Sequence, residues 1–68
     1  MYIVIEIQRN DGNISTLTYQ FDTMALADQK FYTIMAAAAV STIEAHSAII
    51  LDYCGNVIRS AGYDRTVN

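Results

Sequence analysis

The chain has 68 residues, 53% apolar against 16% charged, a net charge of −3, one Cys and one His. That length makes a single small domain, residues 1–68, which buries only about 60% of the surface its unfolded form exposes. One Cys excludes an internal disulfide, and one His with one Cys is too few for a His/Cys zinc site, so no metal or cofactor is expected.

Of the usual supplements to a small core, a partner subunit is the one left. The four basic residues, Arg9, Lys30, Arg59 and Arg65, are scattered. A phosphate backbone or an anionic membrane would want them gathered, so neither nucleic acid nor membrane is an expected partner. The apolar opening is interrupted by Glu6 and preceded by no basic residue, unlike a targeting segment. The longest apolar run, Ile34 to Val40, is too short to span a bilayer. These features suit a cytoplasmic chain with Cys54 reduced.

Tyr2 to Gln8 alternates as a strand, with Ile3, Ile5 and Ile7 on one face and Tyr2, Val4, Glu6 and Gln8 on the other. Asp11-Gly12 follows, between β-prone runs, and predicts a hairpin because both residues tolerate positive φ. Ile14 to Phe21 is the second strand, Leu17, Tyr19 and Phe21 alternating with Thr16, Thr18 and Gln20.

Asp22 is an expected N-cap for a helix from about Thr23 to about Ala45, with no Pro or Gly to interrupt it. His46 is expected at its C-terminal end, where a cation suits the helix dipole. Ala48 to Tyr53 is the third strand, Cys54-Gly55-Asn56 a turn, and Val57 to Tyr63 the fourth strand, weakened at Gly62. Thr66 to Asn68 are expected to fray.

The order is ββαββ. A right-handed crossover places the third strand beside the first. The expected fold is therefore α+β: a four-stranded antiparallel sheet in the order 2-1-3-4, with one long helix on one face.

Projected at about 100° per residue, the helix divides into three stripes. Ala27, Phe31, Ile34, Met35, Ala38 and Thr42 suit the sheet. Leu26, Lys30, Thr33, Ala37, Ser41 and Glu44 can meet water. Tyr32, Met35, Ala36, Ala39, Val40 and Ile43 are left over, and a twofold interface between copies would cover them. The plainer explanation is that alanine favours any helix face. For the open sheet face the expected residues are Tyr2, Val4, Thr16, Thr18, Ile50 and Arg59, with Glu6, Gln8, Gln20 and Asp52. That set is either an ordinary solvated face or a platform for a planar anionic ligand.

Chemistry-bearing groups are few. His46, Ser47, Asp52 and Cys54 are the conceivable catalytic set, but no motif places a base, a nucleophile and a third group together. The carboxylates lack metal-loop or glycosidase spacing, and no glycine-rich phosphate loop exists. Arg59, Arg65, Tyr63 and Lys30 are the candidates for binding an anion or an acidic protein.

The words VIEIQ, DGN, QKFYTIMAAAAVS and HSAIIL, with the late turn at Gly55, resemble a group of very small proteins of gut Firmicutes and their phages or prophages. The resemblance spans nearly the whole chain and carries no assigned chemistry or site. It implies action by binding, either blocking a host enzyme or defence protein or sequestering a signalling molecule. The expected function is thus a non-enzymatic, homo-oligomeric interaction protein. An oligomeric sponge for an anionic ligand such as a nucleotide is the alternative, and an enzyme using His46 or Cys54 comes third.

Overall fold

The computed structural model describes residues 1–65, and the expected fraying at Thr66 to Asn68 lies outside the described residues. The elements are β1 (Tyr2–Asn10), β2 (Asn13–Phe21), α1 (Met24–Val40), β3 (Ala45–Asp52) and β4 (Val57–Asp64). The strands form one sheet in the order β2-β1-β3-β4, every neighbouring pair antiparallel. This is the expected α+β fold, ββαββ with a single helix.

The β1–β2 hairpin fixes which side chains share a face. Asp11 and Gly12 take φ of 53° and 78°, the pair of positive values that a two-residue hairpin turn matching strand twist requires. Asn10 then closes on Asn13, and the register runs unbroken to Tyr2 opposite Phe21. Residues directly opposite one another share a face. So Leu17, Tyr19 and Phe21 lie with Glu6, Val4 and Tyr2, and Ile3, Ile5 and Ile7 lie on the reverse side. β3 continues both sets: Ile50 and Ala48 oppose Val4 and Glu6, while Leu51 and Ile49 oppose Ile3 and Ile5.

The helix covers the face of Val4. Val4, Ala27, Phe31, Ile34, Ala48 and Ile50 form the buried core, and Tyr2, Tyr19, Phe21, Met24 and Met35 pack around it. The expected division of the sheet is corrected here. Val4, Ile50 and Arg59, with Tyr2, Glu6, Gln8 and Asp52, share the helix side, not the open one; Thr16, Thr18 and Gln20 are on the open side as expected. Small residues explain the choice of side. Ala27, Ala38 and Ala48 are wholly buried and let helix and sheet approach closely. A floor of isoleucines would hold the helix farther out.

The helix is shorter than expected and is capped differently. Thr23, not Asp22, is the N-cap: its backbone is extended and its Oγ1 accepts the Leu26 N–H at 3.3 Å. The helix ends at Val40, not near Ala45. Val40, Thr42 and Ile43 are β-branched and stiff at χ1, and Ser41 competes locally, its Oγ accepting the Ile43 N–H at 3.3 Å. The last carbonyls find a distant donor: Arg65 Nη2 donates to Ala38 O at 2.7 Å and to Ala39 O at 3.2 Å. Freed from the helix, residues 45–47 join β3, which begins three residues earlier than expected. His46 is accordingly a strand residue.

Candidate functional site

The most distinctive surface is the open side of the sheet. Ile3, Ile5 and Ile7 of β1 and Ile49 and Leu51 of β3 stand together in its centre, half-buried. No described element lies over them; the single helix occupies the other side. Thr16, Thr18 and Gln20 flank them on β2, and Ser60 and Gly62 on β4. The face is uncharged until one end, where Arg9 Nε meets Glu44 Oε2 at 3.0 Å and Arg9 Nη2 meets Asp64 Oδ1 at 3.3 Å.

Gly62 shapes this face. A Cβ on it would lie 2.4 Å from Ser47 Cβ and 3.1 Å from Ser47 Cα, so the close approach of β3 and β4 requires glycine there. The result is a low shelf beside the isoleucine ridge. Four strands about 4.8 Å apart and some eight residues long present roughly 500 Å² of face.

The leftover helix stripe is smaller than the sequence suggests. Met35 packs on the chain's own core, and Ile43 lies past the helix end, half-buried. Tyr32 sets its ring edge-on to Phe31 at 5.2 Å and receives Arg59 over its face at 5.6 Å. Ala36, Ala39 and Val40 remain exposed, Val40 at 82%.

The basic candidates do not converge. Arg59, on edge strand β4, pairs with Asp28 Oδ1 at 3.1 Å. Lys30 lies at the opposite flank, its Nζ 4.1 Å from the centre of the Tyr19 ring on β2. Arg65 holds the helix C-terminus and stacks on Tyr63 at 5.3 Å. Each cation thus has a partner within the chain. Among the described residues no enclosed pocket forms, and no three His, Cys, Asp or Glu groups cluster as metal ligands do.

The catalytic candidates are also dispersed. His46 is 5% exposed on the helix side. Ser47, next in the chain, points to the open side. Cys54 is exposed in the β3–β4 turn, beyond the end of β3 and roughly 20 Å of strand from His46. Asp52 organises that turn: its Oδ1 accepts the N–H of Cys54 at 2.8 Å and of Asn56 at 2.9 Å, and its Oδ2 accepts Asn56 Nδ2 at 2.9 Å. The Asn56 side chain first, then the backbone N–H groups, hold the Asp52 carboxyl below its ordinary range.

One polar pair escaped sequence reasoning. His46 Nε2 lies 2.6 Å from Glu6 Oε2, which also accepts Gln8 Nε2 at 3.0 Å, while His46 Nδ1 has no partner in the structure. Burial pushes the Glu6 carboxyl up. The hydrogen bonds from His46 and Gln8, with the charges of His46 and Lys30, outweigh that and leave it below its ordinary value. The available signal was a lone carboxylate among the core-facing positions of β1, which needs a buried partner.

With this architecture and these sites in view, comparison with protein families, with curated proteins and with solved structures returns no match. No helix among the described residues is long and apolar enough to cross a membrane.

Proposed function

We propose that this is a non-enzymatic interaction protein that works as a homodimer, two copies stacking their open sheet faces about a twofold axis. The observation that carries the reading is the cluster of Ile3, Ile5, Ile7, Ile49 and Leu51 with no layer over it. An antiparallel sheet with one solvated side normally alternates apolar and polar residues; central strands apolar on both sides belong in a sheet covered twice.

A second copy suits the face in charge and in size. The chain carries −3 overall, so most self-contacts set like charges together, but this face is uncharged through its centre. Two such faces bury about 1,000 Å² in total, the lower bound for a specific interface. Aligned packing at about −30° is the ordinary geometry for two stacked sheets.

In that dimer the helices are outermost. Tyr32, Ala36, Ala39 and Val40 then form the surface on which a further protein is met and blocked, the role suggested by the resemblance to small phage proteins. Sequestration of an anionic ligand is less favoured, because Lys30, Arg59 and Arg65 are apart and already engaged.

Sedimentation equilibrium at micromolar concentration tests the proposal. The wild type is expected to be dimeric. Ile5→Thr, which keeps a β-branched residue, weakens the dimer, Ile5→Lys abolishes it, and Val40→Glu leaves it intact. A monomeric wild type, or a dimer split by Val40→Glu and not by Ile5→Lys, overturns it.

A further inference from the structure

The two edges of the sheet differ in how they are protected. β4 carries Arg59, Gly62 and Asp64, and its pairing with β3 is shifted at Ile50/Leu51. Charged side chains and bulges are among the devices by which edge strands resist pairing with other chains. β2, reading NISTLTYQF, has no charge, no glycine, no proline and no break in its nine-residue register. It is a long, uncharged edge, and Ile14 and Leu17 on it are 69% and 52% exposed.

We infer that the outer edge of β2 pairs with β2 of a second copy, antiparallel and centred on Leu17. The backbone sets the register. The two-residue turn makes Asn10 and Asn13 a hydrogen-bonded pair. By alternation Asn13, Ser15, Leu17, Tyr19 and Phe21 bond inward to β1, and Ile14, Thr16, Thr18 and Gln20 turn their N–H and C=O groups outward.

A twofold centred on Leu17 sets Thr16 opposite Thr18 of the second copy, and Ile14 opposite its Gln20. Outward groups meet outward groups at every step, and that centre alone pairs the full length of the strand. Threonine opposite threonine is a favourable cross-strand pair. Leu17 meets its own copy at a non-hydrogen-bonded position, where side chains are closest, and its exposed surface is covered. Both helices lie on one side of the resulting eight-stranded sheet and both isoleucine clusters on the other. The edge pairing therefore stands apart from the stacked dimer; joining one strand rather than a whole face, it is the weaker contact, and the two together make a tetramer only above the micromolar range in which the stacked dimer is expected.

Disulfide trapping tests the register. In a Cys54→Ser background, Leu17→Cys brings two thiols together where Cα atoms are about 4.5 Å apart, within disulfide reach. Oxidation with copper phenanthroline in air should give covalent dimer at least roughly tenfold faster than for Thr16→Cys or Gln20→Cys, whose copies are not opposite themselves. The same advantage should persist with Ile5→Lys, which separates this contact from sheet stacking. In chemically synthesised chain, N-methylation of Thr16 removes an outward N–H without touching the β1–β2 ladder and should abolish the advantage. Equal trapping at the three positions, or none at Leu17, overturns the inference whatever becomes of the stacked dimer.

Discussion

Val4 and Ile5 are neighbours in one strand, and Ile49 and Ile50 in another, yet each pair is divided between a dry side and an open side. Val4 and Ile50 have no exposed surface, while Ile5 and Ile49 are only half-buried. The side chains are nearly equivalent in hydrophobicity. What separates them is the layer above: α1 on one side, nothing described on the other. Burial is thus set by partners, and a β-branched residue on the open side is a vacancy for one.

Paired truncations measure that difference, and they carry the largest expected effect. Ile50→Ala should cost about 3 kcal/mol, because it removes transfer energy and leaves a cavity under the helix. Ile49→Ala should cost less than about 1.5 kcal/mol in dilute monomer, where water fills the space. Urea titrations at low and high protein concentration check both. Equal costs at low concentration would break the comparison, whereas a cost for Ile49→Ala that grows with concentration would sharpen it.

Next comes the polar pair on the covered side. His46→Leu keeps side-chain bulk but strips the nearly buried Glu6 carboxylate of its closest donor, so a loss of about 2 kcal/mol is expected at neutral pH. Ser60→Ala, a polar deletion on the open side, should fall within about 0.5 kcal/mol of wild type. Denaturant midpoints of the two variants, compared at one concentration, decide it.

The fold was largely legible from the sequence, but its inside and outside were not. The hairpin, the topology and the buried stripe Ala27, Phe31, Ile34 and Ala38 follow from Asp11-Gly12, one crossover rule and helical period. The sides cannot be told from β1 alone, where Ile3, Ile5 and Ile7 outweigh Tyr2, Val4 and Glu6. The two-residue turn already contained the answer: it forces Leu17, Tyr19 and Phe21 onto the side of Val4. Both sides of the sheet were therefore apolar in sequence, and a single helix had to leave one bare. The helix end was harder to see. Alanine runs hide a boundary that is set by the β-branched residues after it and by Arg65, which reaches back from the end of β4.

Gly62 gives an intermediate effect on the open side. Gly62→Ala places a methyl 2.4 Å from Ser47 Cβ and should cost about 1–3 kcal/mol through displaced backbone. Ser47→Gly removes the colliding atom, so the double variant should recover part of the loss. A thermodynamic cycle without coupling would show that the strain lies elsewhere.

The smallest expected effect is in acid, and it separates a covered position from an exposed turn. The folded chain holds the Glu6 carboxyl below 4.5, so as the pH falls the unfolded chain takes up this proton first. Glu6 therefore contributes stability that is complete above about 4.5 and is lost as the pH falls through the lower, folded value. Asp52 acts in the same direction below 3.8, from an exposed turn. Glu6→Gln should flatten the fall in stability below pH 4.5, and Asp52→Asn should flatten only its more acidic part. Identical acid slopes for wild type and Glu6→Gln would mean that His46 and Gln8 stabilise Glu6 no better than water does, and the pair would not count as an ionic fastening of the covered side.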